Sequence, residues 1–241
     1  MARALVTGGN KGLGLGLCRA LAEDGWEVIA TCRSSSPELD AVSVRVVDGV
    51  DVTDPGSAER LREAVGSDAL DLVAANAGVN LSFDVDRIDE LDLALVEQEL
   101  LVNGVGAART VLALLPNLSR GSRVLLVSSG ITRAGRPGAG NVGYTMSKAA
   151  LNSFGRALAH DLRERGIVVA IVTPGLTDTD IIRRVNAARR NPLPAGTASR
   201  DPLDSARNVL RIVERATLES SGTFWGPEGE TIFTADGASV S

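Results

Sequence analysis

The chain is poor in the residues that metal sites, disulfide scaffolds and aromatic cages require. It has two cysteines, one histidine and an aromatic fraction of 3% over 241 residues. Cys18 and Cys32 lack metal-ligand spacing, and we predict that both are buried thiols of a reducing compartment. With a single histidine in the chain we expect no metal site. The scarcity of aromatic side chains argues against an aromatic cage around a ligand.

Long apolar runs and basic blocks are also missing. No apolar run approaches the ~18 residues that span a bilayer. The N-terminal stretch MARALVTGG carries no cleavage pattern of a secretory signal. The net charge is −5 without any Lys/Arg-rich block, which argues against nucleic acid or an anionic membrane as a partner. These absences predict a soluble, cytoplasmic protein.

Short valine-rich runs alternate with amphipathic helical patterns along most of the chain. Seven runs are typical of strands: ARALVTG, WEVIATC, VSVRVVD, ALDLVAAN, SRVLLVSS, GIVVAIVTP and GTFWG. Unbroken apolar strands separated by helices indicate a parallel sheet covered on both faces. We therefore predict one α/β domain over residues 1–241. It is a single doubly wound Rossmann domain with a mostly parallel, seven-stranded sheet, helices on both faces and a polar lid at about 176–221.

The first predicted strand runs directly into TGGNKGLG, which opens a helical pattern. Gly8, Gly12 and Gly14 give this stretch the spacing G-x-x-x-G-x-G. Glycines at a strand-to-helix turn let the backbone approach a pyrophosphate, whose charge lies at the helix N-terminus. A simple tight turn is the alternative. The position inside a β-α-β unit favours dinucleotide binding.

Polar residues also stand at three chemically notable places. Tyr144 and Lys148 are four residues apart in NVGYTMSKAAL, a spacing that puts them on one helix face. Alone, this pair is more typical of an exposed helix surface than of a catalytic site. Ser129 ends a predicted strand, where it binds a ligand or satisfies local backbone groups. Asn103 interrupts an apolar helical pattern, as a functional amide or as a hydrogen-bonded core residue.

Five motifs occur in an order that resembles the classical short-chain dehydrogenase/reductase family, and in particular its carbonyl-reductase-like members. The motifs are TGGNKGLG, ANAG at 75–78, the serine pair at 128–129, YTMSK at 144–148 and PGLTDT at 174–179. The resemblance extends from residue 3 to about residue 180. It departs from the family form at Ala75, where the usual motif is NNAG.

The resemblance implies four catalytic residues. Tyr144 would be the general acid/base, and Lys148 would lower the pKa of its phenol and hold the nicotinamide ribose. Ser129, or Ser128 beside it, would orient the substrate carbonyl. Asn103 would mark a local break in its helix that holds a water, and this water would relay protons from Lys148. The loop between Ser129 and Tyr144 is about two residues longer than in most members, so we expect it to bulge beside the substrate.

The cofactor prediction is NADP(H). Cys32 ends the second predicted strand, where NAD-binding proteins carry an acid, and Arg33 follows it. Arg33 and Lys11 are cations suited to a 2′-phosphate. By resemblance, Asp51 contacts the adenine amino group, and Thr177 and Thr179 hold the carboxamide. The remaining cofactor-binding residues are expected to be Gly8, Asn10, Gly12, Leu13, Gly14, Val52, Asn76, Ala77, Gly78, Pro174 and Gly175, with Tyr144 and Lys148.

We predict an NADP(H)-dependent oxidoreductase that transfers hydride between the nicotinamide and a carbonyl or secondary alcohol of a small organic substrate. Two alternatives stay open: non-redox chemistry on the same tyrosine, as in an isomerase, dehydratase or cyclase, and a cofactor-binding regulator. Arginines 183, 184, 189 and 190 in the lid either attract an acidic substrate or form a solvated helix face. The family commonly forms homodimers or homotetramers through the helices at about 92–117 and 143–165, although some members are monomers.

Overall fold

The computed structural model describes residues 1–83, 85, 87–132, 141–188 and 199–236. The strands are β1 (Arg3–Thr7), β2 (Glu27–Thr31), β3 (Arg45–Val47), β4 (Leu70–Ala75), β5 (Leu118–Val127), β6 (Val168–Val172), β7 (Phe224–Trp225) and β8 (Thr231–Phe233). The α-helices are α1 (Gly12–Glu23), α2 (Pro37–Asp40), α3 (Ser57–Val65), α4 (Leu93–Leu100), α5 (Ala107–Leu114), α6 (Val142–Leu162), α7 (Asp180–Ala188) and α8 (Pro202–Arg215). A π-helical segment, Leu101–Gly106, joins α4 to α5 without a break.

The described strands form one sheet in the order β3-β2-β1-β4-β5-β6-β7-β8. Every neighbouring pair is parallel except β7 and β8, which are antiparallel. The predicted Rossmann domain with a mostly parallel sheet is confirmed. The predicted number of seven strands is wrong, because the short segment TIF at Thr231–Phe233 folds back onto β7. The rings of Phe224 and Phe233 stack across this added pair with centroids 6.2 Å apart.

Alternating side chains of each central strand enter two separate cores. Leu5 of β1 packs with residues of α3, α5 and α6 on one face of the sheet. Its neighbours Ala4 and Val6 pack with residues of α1 and α8 on the other face. This alternation explains the unbroken apolar strands in the sequence, since a strand covered on both faces has no solvent side.

The predicted lid contains one helix of the main scaffold. Asp201 caps α8 by accepting from the backbone N–H of Leu203 at 2.7 Å, and Pro202 follows as the first helical residue. α8 then packs along α1. The approach is so close that a Cβ at Gly16 would lie 2.4 Å from the carbonyl oxygen of Pro202. Residues 202–215 of the predicted lid thus form a 14-residue helix that packs on the scaffold.

The stretch Leu93–Asn117 is long and apolar enough, by length and composition alone, to cross a membrane. It is the single such stretch among the described residues, and 44% of its apolar window is buried. Val111 and Leu114 from this stretch are fully buried against the sheet. That burial is what a core helix of a packed domain shows.

Candidate active site

A cleft of about 840 Å³ opens at the carboxyl ends of the parallel strands. It lies where β1 and β4 are adjacent and their following helices cover opposite faces, the point at which sheets of this kind bind ligands. Every residue predicted to bind cofactor lines this cleft, together with Ser129, Tyr144 and Lys148. Asn103 lies behind the wall of the cleft, fully buried.

The glycine loop turns tightly from β1 into α1. Gly8 has φ +67° and Gly12 has φ +53°, backbone angles that favour glycine. A Cβ at Gly14 would lie 2.1 Å from the carbonyl oxygen of Gly8, so only glycine lets the helix begin this close to the loop. Lys11 precedes α1 in an extended conformation. Its side chain makes no capping hydrogen bond to the helix, and its ammonium lies 3.4 Å from Asp180 Oδ2. Gly12, Leu13 and Gly14 at the start of α1 line the cleft, and the N-terminus of a helix suits a pyrophosphate.

The end of β4 is bound to this loop by a compact set of hydrogen bonds. The Asn76 side chain donates to the carbonyl oxygen of Thr7 at 2.9 Å. The Thr7 hydroxyl accepts from the backbone N–H groups of Asn76 and Ala77 at 3.1 and 3.2 Å. The Asn76 side chain thus ties the end of β4 to the glycine loop, and its amide is hydrogen-bonded to the backbone.

The side of the cleft near β2 has a buried thiol, Cys32, next to an exposed cation, Arg33. Cys32 is buried, and its thiol donates to Asp48 Oδ1 at 3.1 Å; burial, then this contact, raises the thiol pKa to about 12. Arg33 is exposed at the cleft edge. Asp51 accepts from the Thr53 backbone and hydroxyl, and the backbone bond is the main cause of its lowered pKa. A cation at the rim and a non-acidic residue at position 32 suit a 2′-phosphate.

The opposite side of the cleft holds the phenol, the ammonium and a hydroxyl. Tyr144 and Lys148 lie on α6, and the Lys148 Nζ is 5.8 Å from the centroid of the tyrosine ring. Lys148 is buried and donates to the carbonyl oxygen of Val127 at 2.8 Å. Ser129 lies near the Tyr144 phenol and lowers its pKa. Ser128 instead points into the protein and donates to Asn152 Oδ1 at 2.6 Å, which separates the two serines geometrically.

The acid-base properties of this pair differ from the expectation. Tyr144 is half-buried, and its pKa is raised to about 12, mainly because its phenol is desolvated; Ser129 lowers the pKa and the charge of Glu99 raises it by smaller amounts. Burial also lowers the pKa of Lys148 to about 8. The predicted lowering of the phenol pKa by Lys148 is therefore wrong for the protein in this state. The phenol is protonated at neutral pH, which is the state that a proton donor needs.

Asn103 lies at the centre of the π-helical segment. Its side chain donates to Val79 O at 2.8 Å and to Ser147 Oγ at 2.9 Å, and accepts from Val79 N at 2.8 Å. The amide is thus fully engaged in the core. Gly78 separates it from the ammonium: a Cβ at Gly78 would lie 3.1 Å from Asn103 Oδ1 and 3.4 Å from Lys148 Nζ. The sequence predicted a break in the helix here, and the π-helix is the form that the irregularity takes.

The segment after β6 lines the cleft, and its two threonines, Thr177 and Thr179, have different contacts. Gly175 has φ +74° and turns the chain behind Pro174. The hydroxyl of Thr177 is buried and donates to Ser205 on α8 at 3.0 Å. Thr179 lies at the start of α7, next to Gly12. Of the two threonines, Thr177 is engaged with the scaffold and Thr179 faces the glycine loop.

The arginines of the lid are divided between two surroundings. Arg183 is exposed and forms ion pairs with Asp178 and Asp180 at 2.7 and 2.8 Å. The guanidinium of Arg184 lies 5.8 Å from the ring centroid of Phe83. Arginines 189 and 190, and most of the loop between Ser129 and Tyr144, lie outside the described residues.

Sequence reasoning missed a polar network beside the tyrosine. It joins α4, the segment after β4 and the start of α6, and its members are Asn80, Ser82, Glu99, Asn141 and Ser147. The sequence contains one signal for it. Glu99 precedes Asn103 by one helical turn within the apolar stretch ELLV, so both polar side chains lie on the same side of the helix.

The cleft combines a glycine-lined helix N-terminus at one end with a phenol, a hydroxyl and an ammonium at the other. Such a site belongs to an enzyme that binds a dinucleotide. The chain is a member of the short-chain dehydrogenase family, since the model of that family, described as short chain dehydrogenase, matches residues 2–190.

Individual relatives agree with this assignment over nearly the whole chain. The sequence is 31% identical over 232 residues to a 1-hydroxy-2-glutathionyl-2-methyl-3-butene dehydrogenase of Rhodococcus sp. (strain AD45), covering 95% of this chain and 98% of the relative. It is 29% identical over 216 residues to the 3-oxoacyl-(acyl-carrier-protein) reductase FabG of Vibrio cholerae, covering 86% and 87%. A short-chain dehydrogenase from Burkholderia cenocepacia, solved in complex with NADP, superimposes with a TM-score of 0.78 at 28% identity, covering 98% of each chain.

Proposed function

We propose that this chain is an NADP(H)-dependent carbonyl reductase that interconverts a ketone or aldehyde and the corresponding alcohol of a small organic substrate. The observation that carries the proposal is the convergence of Ser129, Tyr144 and Lys148 at one end of a single cleft. The other end has the glycine loop and the cations Lys11 and Arg33. The residues proposed to bind the cofactor and those proposed to catalyse the reaction thus line the same cleft.

NADP(H) is the cofactor that the residues suit best. The start of α1 would hold the pyrophosphate, and Arg33 and Lys11 would meet the 2′-phosphate. Asp51 would accept from the adenine amino group beside Val52. The Burkholderia neighbour at 28% identity was crystallised with NADP, which supports the same choice. When bound, the nicotinamide supplies or accepts the hydride, and its oxidised form adds a positive charge beside the phenol.

The chain's own residues would manage the proton. Tyr144, protonated because of its high pKa, donates to the carbonyl oxygen of the substrate. Ser129, which lies near the phenol and lowers its pKa, would hold the same oxygen. Lys148 would hold the nicotinamide ribose and pass a proton onward. The π-helical segment at Asn103, which Gly78 separates from Lys148, would hold the water of this relay.

The experiment is the loss of NADPH absorbance against a panel of ketones, aldehydes and 3-oxoacyl thioesters. Oxidation of 1-hydroxy-2-glutathionyl-2-methyl-3-butene with NADP⁺, suggested by the Rhodococcus relative, completes the panel. We expect cofactor-linked turnover of at least one compound, and Tyr144→Phe should remove it. Tight NADPH binding without turnover on any of these compounds would favour the regulator or a non-redox reaction over the reductase.

We also propose that two or four copies of this chain associate in the cytoplasm. Four apolar side chains point to solvent from the π-helical segment, α5 and α6; they are Leu101, Val105, Leu112 and Met146, with exposures from 39% to 53%. Exposed apolar side chains on neighbouring helices suit a symmetric contact with a second copy. Light scattering should give a dimer or tetramer mass, and Leu112→Glu should shift it towards the monomer. A monomer mass for the unaltered protein would refute the assembly.

A further inference from the structure

Glu99 is a fully buried carboxylate beside the proposed catalytic tyrosine. Its Oε1 accepts from the backbone N–H of Leu81 at 2.6 Å and from that of Ser82 at 3.1 Å. Its Oε2 accepts from the Ser82 hydroxyl at 2.7 Å. Burying a carboxylate is unfavourable unless its oxygens are hydrogen-bonded, and here they bind the segment that leaves β4. Glu99 therefore anchors this segment to α4.

The same segment is bound to the first turn of α6. The Ser82 carbonyl oxygen accepts from Asn141 N at 3.3 Å, and Asn80 donates to Asn141 Oδ1 at 2.8 Å. Gly143, the second residue of α6, packs directly against the Glu99 carboxylate. A Cβ at this position would lie 2.3 Å from Glu99 Oε2 and 2.8 Å from Ser82 Oγ. Tyr144 follows Gly143 directly, so the backbone next to the proposed catalytic tyrosine packs against Glu99.

A second tie lies one helical turn further along both helices. Asn103 donates to Ser147 Oγ at 2.9 Å, and Ser147 donates to the carbonyl oxygen of Tyr144 at 2.8 Å. Glu99 and Asn103 are four residues apart, as are Gly143 and Ser147. The close approach of Gly143 to Glu99 and the hydrogen bond between Asn103 and Ser147 thus lie in register, one on each side of Tyr144, and hold α6 against the helix formed by α4 and the π-segment.

We infer that Glu99 is a positioning residue for the reaction: it holds the start of α6 so that the Tyr144 phenol meets the substrate oxygen. The inference depends on the proposed reductase function and assigns Glu99 no contact with substrate. Its negative charge has a second effect, because it disfavours ionisation of the neighbouring phenol. Glu99 would then both place the proton donor and keep it protonated.

The charged groups around the phenol come from several elements. Glu99 faces it from α4, and Lys148 faces it from α6; Ser129, after β5, is neutral. The other charged side chains that line the same cleft are Lys11, Arg33, Asp51, Asp180 and Glu230. Substitution at position 99 leaves all of these unchanged, so a change in the phenol pKa can be assigned to Glu99.

The test compares Glu99→Ala with Glu99→Gln, and uses Glu97→Gln, an exposed site on the same helix, as the matched control. Alanine removes the anchor, and we expect kcat to fall roughly 10- to 100-fold, because small misplacements of a reacting group have effects of this size. NADPH dissociation constants should stay within about twofold. Glutamine can still accept from both backbone N–H groups, so it should restore most of kcat.

A spectroscopic measurement complements the kinetics, because Tyr144 is the only tyrosine in the chain. Its ionisation can be followed directly by tyrosinate absorbance, with circular dichroism recorded at each pH to mark loss of the fold. We expect the midpoint in Glu99→Gln to fall below that of the unaltered protein and of Glu97→Gln by roughly half a pH unit or more. If Glu99→Ala does not fold, this midpoint and the kcat of Glu99→Gln decide the matter.

Two results would overturn the inference. One is an alanine variant with unaltered kcat. The other is a glutamine variant whose phenol midpoint equals or exceeds that of the control. Failure of the proposed function looks different, because the unaltered protein and Glu97→Gln would then reduce no carbonyl compound. The tyrosinate midpoints would still report on Glu99 in that case.

Discussion

The two ends of the cleft are built in opposite ways. At the end near β2, the charged groups Lys11 and Arg33 are exposed at the rim, and the ion pair of Lys11 with Asp180 spans 3.4 Å at the surface. At the other end, Lys148 and Asn103 are buried and joined to their surroundings by hydrogen bonds of 2.8–2.9 Å. The first end consists of independent side chains, and the second is an interlocked network.

This difference predicts how each end responds to substitution. Exposed charges interact weakly because solvent screens them and the side chains are free to move, so changes there should adjust affinity in small steps. A buried polar network fails as a unit, because each lost partner leaves another group unsatisfied. We therefore expect graded effects on nucleotide choice at the rim and large effects on turnover in the network.

The largest effect is expected for Lys148→Met, which should reduce turnover more than ~100-fold while raising stability. Burial lowers the pKa of Lys148 from 10.5 to about 8, so the buried charge opposes folding fully below pH 8. This penalty fades as the pH rises from about 8 to 10.5. At pH 7 methionine should therefore raise the free energy of unfolding by about 1–2 kcal/mol, after the lost hydrogen bond to Val127 is counted.

Urea unfolding of both proteins at pH 7 and near pH 10 measures this effect. The difference between them should shrink at the higher pH, where the lysine is largely neutral in the fold. A methionine variant that is less stable than the unaltered protein at pH 7 would contradict the account of the buried ammonium.

The adjacent serines provide a matched pair. Ser129→Ala should lower kcat by roughly 100- to 1,000-fold with little change in stability, because it removes a donor to the reacting oxygen. Ser128→Ala leaves the buried Asn152 Oδ1 without this donor, and should lower the free energy of unfolding by about 1–3 kcal/mol while keeping most of kcat. Steady-state kinetics and thermal unfolding of the two variants distinguish these outcomes. The reversed pattern would mean that the functional serine was assigned in the wrong register.

At the rim, Arg33→Ala should weaken NADPH binding by roughly tenfold and leave NADH binding unchanged, since in the proposed site the guanidinium would contact only the 2′-phosphate. Acquiring NADH preference needs more than an acid at position 32. Cys32 is buried against Asp48, so Cys32→Asp alone would place two carboxylates together. Cys32→Asp with Asp48→Asn and Arg33→Ala should reverse the preference. Calorimetric titration that shows equal NADPH and NADH affinity in the unaltered protein would refute the NADP(H) prediction.

The smallest effect is expected for Asp180→Asn. It releases Lys11 from an exposed ion pair, so NADPH should bind up to about threefold more tightly and the free energy of unfolding should change by less than about 0.5 kcal/mol. The same calorimetric titration measures it. A loss of affinity greater than tenfold would show that the rim is as interlocked as the other end of the cleft.

The strands and the position of the glycine loop could be predicted because their signals are local. Apolar runs define the strands, and the glycine loop follows from a motif placed directly after β1. The strand β8 was missed because three residues are too short for a pattern. The bounds of α8 were not predicted, because the segment was treated as a polar lid, although Asp201 and Pro202 are a helix-start signal.

The network around Tyr144 was largely beyond prediction. Glu99 satisfies the backbone of residues 81 and 82, and no local pattern pairs a helix side chain with a distant loop. The pKa of Tyr144 was expected to fall because Lys148 is near in sequence. Burial outweighs that proximity, and burial depends on the packing of α4, α6 and the end of β5 together.

The measurement that tests the central claim most directly is the turnover of Tyr144→Phe, with NADPH binding determined on the same preparation. The ring and its packing remain and only the proton donor is removed, so NADPH should bind within about twofold of the unaltered protein. Carbonyl reduction should fall by ~100- to 10,000-fold. A phenylalanine variant that binds NADPH and still reduces the carbonyl substrate at a rate near that of the unaltered protein would contradict the assignment of Tyr144 as the acid.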